Sequence, residues 1–179
     1  ELAYEILIEN DGNNFIYAPL VNYADHTFGV CKKMLDDKNA IMGLGDGGAH
    51  VGFILDAGYP TWLISYWSVK KKAYSMEETV RRLTSDTANA AGLNDRGLLK
   101  VGLKADINII DWENVGSSDP FMTQDLPAGG KRLMQHTKGY VTTIVSGVVT
   151  YKNGKFTKER PGTVVKSVKD EEKTLEFIN

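Results

Sequence analysis

The residues best placed to do chemistry lie in one stretch, Ile41-Met42-Gly43-Leu44-Gly45-Asp46-Gly47-Gly48-Ala49-His50. Residues 40–44 read as a short buried strand that runs straight into a glycine-rich turn with a single carboxylate, Asp46, at its mouth. A carboxylate at the C-terminal end of a buried strand, with His50 four residues on and little side-chain bulk between, can reach a metal or a substrate from a rigid base. The same residues also fit a polar turn capped by Asp. Gly43, Gly45 and Gly48 satisfy the GxGxxG spacing as well. A dinucleotide site, however, needs backbone N–H groups free of anionic competition and an acidic residue about 20 positions further on. Asp46 sits inside the loop, and no Asp or Glu occurs between Asp56 and Glu77, so the phosphate cradle is set aside.

The elements that must position this turn are read from periodicity. Residues 5–9 resemble a short strand or helix end before the turn at residues 10–14. Over residues 22–37, Phe28, Val30, Cys31, Met34 and Leu35 recur at helical spacing, with Lys32, Lys33, Asp36 and Asp37 on other faces. Tyr59-Pro60-Thr61 precedes a second apolar helix over residues 62–67, whose aromatics read as core. Ser75-Met76-Glu77-Glu78 has capping-box spacing and should open a helix carrying Val80 and Leu83. A short helix over residues 84–91 is expected to end at Gly92. Ile107, Ile109 and Asp111 read as a strand beyond a turn. Residues 119–139, with Pro120, Pro127, Gly129 and Gly130, read as a long connection. Residues 140–151 alternate apolar and polar, residues 152–155 read as a hairpin turn, and Phe156 resumes the strand.

The chain is therefore expected to be α/β in its first two-thirds and β-rich in the remainder, with no internal repeat. Its 179 residues, 42% hydrophobic and 25% charged, suffice for one large domain or two small ones. A net charge of −2 and a pI near 6.0 give no case for nucleic acid or an anionic membrane surface as partner. Lys70-Lys71-Lys72 reads as a solvated helix end. The single Cys31 cannot form an internal disulfide, which favours a reducing, cytoplasmic compartment and a structural thiol. No run approaches the roughly 20 apolar residues of a membrane span. Glu1 is not an initiator Met, so the natural start of the chain is expected to lie upstream.

Several motifs occur in a recognisable order. They are Asp46-Gly47-Gly48-Ala49-His50, residues 81–88 (Arg-Arg-Leu-Thr-Ser-Asp-Thr-Ala) followed by Gly92-Leu93, and residues 97–107 (Gly-Leu-Leu-Lys-Val-Gly-Leu-Lys-Ala-Asp-Ile). Val145-Ser146-Gly147-Val148-Val149, Gly154-Lys155-Phe156-Thr157 and Arg160-Pro161-Gly162 follow. Together they resemble the C-terminal third of the amidohydrolase superfamily, and of N-acyl-D-amino-acid deacylases in particular. Residues 125–132 (Asp-Leu-Pro-Ala-Gly-Gly-Lys-Arg) are similar to that subgroup too. The resemblance runs from Glu5 to Gly162.

What the resemblance implies is the last β/α units of a metal-dependent (β/α)8 barrel in residues 1–97. The C-terminal strands of a small β-sandwich domain would follow in residues 98–179. It implies a metal-dependent hydrolase of non-peptide carbon–nitrogen bonds acting on a small N-acyl amino acid. Asp46 would ligate a divalent metal, zinc, and pass a proton from the attacking water to the departing amine. His50 is expected to line the substrate pocket without ligating the metal. The sequence departs from the family's first-strand His-x-His, its bridging Cys, Lys or Glu, and its two later histidines. Only His26, His50 and His136 are present, and no pair has ligand spacing. The chain is thus expected to behave as a fragment, inactive alone and prone to homo-oligomerise through exposed barrel edges. The alternative is a non-catalytic scaffold that keeps the amidohydrolase framework.

Overall fold

The computed structural model describes residues 1–165 apart from 18–20, 24 and 44. Helix α1, Leu2–Gly12, mixes apolar residues with Glu5 and Glu9 without a separate apolar face, and buries none of its residues. The backbone leaves helical geometry at Glu9, and Asn10 and Asp11 take left-handed φ values of 53° and 55°, which short polar side chains tolerate. Residues 5–8 are thus helical, and Glu9 is extended. Helix α2, Gly29–Asp36, is shorter than the expected 22–37 because Asn22 and His26 sit at φ 62° and 57°, outside helical space. Its exposed face carries a Lys32–Asp36 ion pair one turn apart, at 2.5 Å.

The principal hydrophobic cluster lies in the next helical unit. Helix α3, Tyr59–Trp62, begins with Pro60 in its first turn and passes directly into a π-helix, Leu63–Lys70. Lys71 N–H donates to the Tyr66 carbonyl at 2.8 Å, the five-residue spacing of that wider helix. Leu63, Trp67 and Tyr74 form the buried cluster, and Phe28, Cys31, Leu35, Met42 and Leu83 pack around it. Cys31 is thus a packing thiol, half-buried, and burial pushes it above the ordinary thiol range.

Helix α4, Met76–Leu83, starts where the capping-box spacing places it, with Ser75 Oγ accepting from Glu78 N–H at 3.1 Å. Arg82 reaches back from its last turn to donate to the Leu35 carbonyl at 2.6 Å, tying α4 to α2. Helix α5, Ser85–Ala90, ends before Gly92, which adopts φ 70°.

The β-rich part is antiparallel throughout its described pairings. Strands β1 (Ile107–Ile110), β6 (Tyr140–Val145), β7 (Val148–Lys152) and β8 (Lys155–Phe156) form one sheet in the order β1-β6-β7-β8. The alternation over residues 140–151 is two strands joined at Ser146-Gly147, because both residues have left-handed φ and reverse the chain there. The hairpin turn read at residues 152–155 is present, with Asn153 and Gly154 at its tip.

Residues 119–139 are not one long connection. β3 (Phe121–Leu126) and β4 (Gly130–Met134) form a hairpin whose tip is the 3-10 turn Pro127–Gly129, and β2 (Gly116–Ser117) pairs with β5 (Thr137–Lys138). The Pro and Gly residues that suggested a loop make the tip and its flanks. Arg132 closes the hairpin with a two-pronged bond to Asp125, at 2.7 and 2.5 Å.

Residues 40–43 do not form the expected strand, and Leu44 lies outside the described residues. An isolated extended segment leaves its backbone N–H and C=O groups without ladder partners, and among the described residues no strand lies beside this one. The mixed helix and sheet content agrees with the expected α/β class. Contacts that join the helical and β-rich parts include Thr61 Oγ1 with Tyr140 OH at 2.9 Å and Leu133 N–H donating to the Val51 carbonyl at 2.8 Å.

Candidate functional site

Asp46 and His50 lie on one turn and are both exposed. Their backbone is held in the left-handed region, at φ 43° and 45°, which Asp and His enter more readily than most residues with a Cβ. Ala49 N–H donates to the Asp46 carbonyl at 3.0 Å, and Phe53 and Ile54 N–H both donate to the His50 carbonyl at 2.9 and 3.1 Å. These two successive turns make residues 46–54 a coil in which each carbonyl of interest is already engaged. Both side chains remain free of hydrogen bonds among the described residues. The His50 ring instead stacks on Phe53, with centroids 5.0 Å apart and planes at 27°.

Close packing fixes the start of the turn. A Cβ on Gly45 would stand 2.6 Å from the Asp56 carbonyl oxygen and 2.9 Å from both Ala57 Cα and the Tyr59 ring, so only glycine fits against the 3-10 turn Asp56–Gly58. The far end of the turn is held from the β-rich part, by Leu133 at Val51. Gln135 of the same strand register lies near Gly58, whose Cβ would meet Gln135 Oε1 at 3.2 Å.

The turn supplies one anionic donor, Asp46, and one imidazole, His50. Among the described residues no group of three or more His, Cys, Asp or Glu side chains converges to hold a metal ion. A catalytic zinc site takes three protein ligands and an open position. The described residues therefore do not fit a complete metal centre, and Asp46 stands as a single donor. The other two histidines are placed elsewhere: His26 meets Tyr23 edge-on at 6.1 Å, and His136 packs on Phe121 at 4.8 Å.

A larger concavity, a groove of about 780 Å³, runs between α4, α5 and the free edge of β1. It does not contain Asp46 or His50, although Met42 and Tyr59, which flank their turn, line it. Leu98, Leu99, Ile110 and Trp112 make it mainly apolar, and of its charged groups Arg81 and Asp106 are partnered, whereas Glu77 forms no ion pair among the described residues. Arg81 pairs with Asp86, and Asp106 accepts from Arg96 at 3.0 Å and from Ser146 N–H at 2.8 Å. The turn and the groove thus each carry a carboxylate outside any ion pair among the described residues, Asp46 in one and Glu77 in the other, and only the turn adds an imidazole. The sequence offered one sign of the groove, the exposed Leu98-Leu99 pair next to Gly97. The pair borders the groove beside β1, which pairs with β6 alone among the described residues.

The sequence model of the amidohydrolase family matches residues 19–151, about three-quarters of the chain and the whole span from the glycine turn to β7. Comparison with curated proteins and with solved structures gives no match.

Proposed function

The chain belongs to the amidohydrolase family, and from that premise we propose that it is the acid-bearing part of a hydrolase that cleaves the amide bond of N-acyl-D-amino acids. Within this reading residues 1–97 are the closing β/α units of the barrel and residues 98–179 its strand-rich companion. The observation that carries it is the left-handed, exposed Asp46 at the centre of a turn pinned on both sides. Packing that holds the turn at Gly45 and Val51 gives an exposed carboxylate a fixed backbone from which to act.

Amide hydrolysis adds the oxygen of water to the acyl carbon, breaks the carbon–nitrogen bond, and requires a proton on the departing nitrogen. The Asp46 carboxylate takes one proton from the attacking water and returns it to that nitrogen, leaving a carboxylic acid and a free amine. His50, four residues on and stacked against Phe53, presents a ring N–H to the anionic carboxylate or acyl oxygen of the substrate. A divalent metal such as zinc, expected by resemblance, would polarise the acyl carbonyl. The described residues offer it one donor, so the proton transfers above are assigned to Asp46 alone.

The test is Asp46→Asn in a form of the protein with a complete metal site. Turnover is expected to fall by roughly 100-fold or more, with substrate binding less affected, as for loss of a general acid/base. Near-normal turnover of the Asn variant with metal bound would make Asp46 a structural turn residue and favour a non-catalytic scaffold.

Homo-oligomerisation belongs to the same reading. Leu2, Tyr4, Ile16, Tyr17, Val21 and Phe53 are exposed apolar side chains that association would cover. Sedimentation is expected to show concentration-dependent association, and a strict monomer at high concentration would remove this part of the proposal. No helix among the described residues is long and apolar enough to cross a membrane.

A further inference from the structure

We infer that the β3–β4 hairpin is a positioning element for the Asp46–His50 turn, acting through the backbone N–H of Leu133. The hairpin is two-stranded, and Leu133 stands opposite Met122 across it. The Leu133 N–H is turned away from β3 and donates to the Val51 carbonyl at 2.8 Å. Val51 is the residue next to His50, inside the turn closed by Phe53 and Ile54 N–H on the His50 carbonyl. The bond therefore joins Leu133 of β4 to the Val51–Gly52 peptide unit, one unit beyond the one that leaves His50, inside the turn that the His50 carbonyl closes.

Other contacts make the hairpin rigid enough to act as a brace. Arg132 and Asp125 lock its two strands together next to Leu133. At its base, Gln135 Nε2 donates to the Ser118 carbonyl at 2.6 Å, and Ser118 and His136 exchange further bonds at 2.8 and 3.1 Å. Gln135 Oε1 also lies against Gly58, directly behind Gly45 and the Asp56–Gly58 turn. The glycine turn is thus gripped at its start by the 3-10 turn and at its end by β4. A buried or half-buried backbone bond of this type contributes modestly to stability, yet it fixes direction, because N–H···O=C geometry is narrow. The functional importance of this brace rests on the proposal for Asp46 and His50, but its existence does not.

The test uses the whole chain and needs no substrate. In the unaltered protein, amide exchange at Leu133 is expected to be as slow as at Phe53 and Ile54, because an N–H on the outer side of a two-stranded hairpin has no other acceptor. Exchange at Leu133 as fast as at a solvent-exposed amide would overturn the inference. Leu133→Pro removes the donor, whereas Leu133→Ala keeps it. The Pro variant is expected to speed exchange at Phe53 and Ile54 by about fivefold to tenfold. It should also move the His50 ring signals, as the stack on Phe53 loosens. The Ala variant should leave both within twofold of the unaltered chain, and unchanged β6–β7 signals would show that the fold is kept. Equal effects of Pro and Ala, or none from either, would assign Leu133 a packing role only. If the brace is found but Asp46→Asn retains activity, the hairpin positions a turn that is not catalytic, so the two proposals fail separately.

Discussion

Residues 1–58 and residues 59–156 are built on opposite terms. Among the described residues of the first stretch none is buried, and helices α1 and α2 expose most of their apolar side chains. The second stretch holds every buried residue of the described chain, from Thr61 through Leu63, Trp67, Tyr74 and Thr79 to Thr150. Yet the candidate acid and imidazole lie in the first stretch. Their order is borrowed in part: Tyr59 joins the first stretch's own Asp56–Gly58 turn in confining Gly45, and Leu133 confines Val51. A site can therefore be precise without a core of its own if a packed neighbour grips the backbone at both ends.

The contrast is broken most severely by Leu63→Ala. Leu63 is fully buried at the centre of the Trp67–Tyr74 cluster, and its truncation is expected to cost about 2–5 kcal/mol. Denaturant unfolding followed by tryptophan fluorescence should show the midpoint fall, with the turn at residues 46–54 loosening in the same transition. A turn that kept its order while the cluster melted would mean that residues 1–58 hold themselves together. Gly45→Ala sharpens the comparison from the other side. The added methyl would meet backbone at 2.6 Å, so a cost of about 1–3 kcal/mol is expected. The His50 and Phe53 signals should shift while the β6–β7 hairpin stays unchanged. An Ala variant of unaltered stability and spectrum would show that the turn is free to move.

The smallest effect concerns the joint between α2 and the core. The Asp36 carboxyl is held below its ordinary range by the Lys32 ammonium and by the Tyr74 hydroxyl, which donates to it at 2.9 Å. Burial and Asp36 in turn push the Tyr74 hydroxyl up. Because the folded carboxyl is the stronger acid, its stabilising effect is complete above the ordinary Asp value of about 4 and is lost as pH falls through the depressed value. Acidification should detach α2 from Tyr74 before the sheet unfolds, and Asp36→Asn should flatten that early phase. An unchanged acid profile in the Asn variant would show that the Asp36 pair does not secure α2.

Local signals were the legible part of the sequence. The Ser75 cap, the end of α5 at Gly92, strand β1 and the Asn153-Gly154 turn each depend on residues close together in the chain, and each stands where its signal placed it. Residues 119–139 misled because proline and glycine mark a hairpin tip as readily as a loop, and the pairing of Phe121 with Met134 is visible only in space. Residues 40–43 misled for the opposite reason, since apolar β-prone residues become a strand only beside another strand. The spacing of Asp46 and His50 was evident. The packing around them was not, because Tyr59 and Asp56 at Gly45 and Leu133 at Val51 are joined to the turn by no local pattern.

The exposed Asp46 is followed by Gly47, and this order has a consequence for the age of the molecule. With no side chain on Gly47 to shield it, its amide nitrogen can close on the Asp46 carboxyl carbon, expel water and form a five-membered imide. Reopening of that ring by water can route the main chain through the side-chain carbon, lengthening the backbone by one atom and carrying the carboxylate away from its original place. Stored protein would then lose its candidate acid without losing a residue, a cluster contact or a strand.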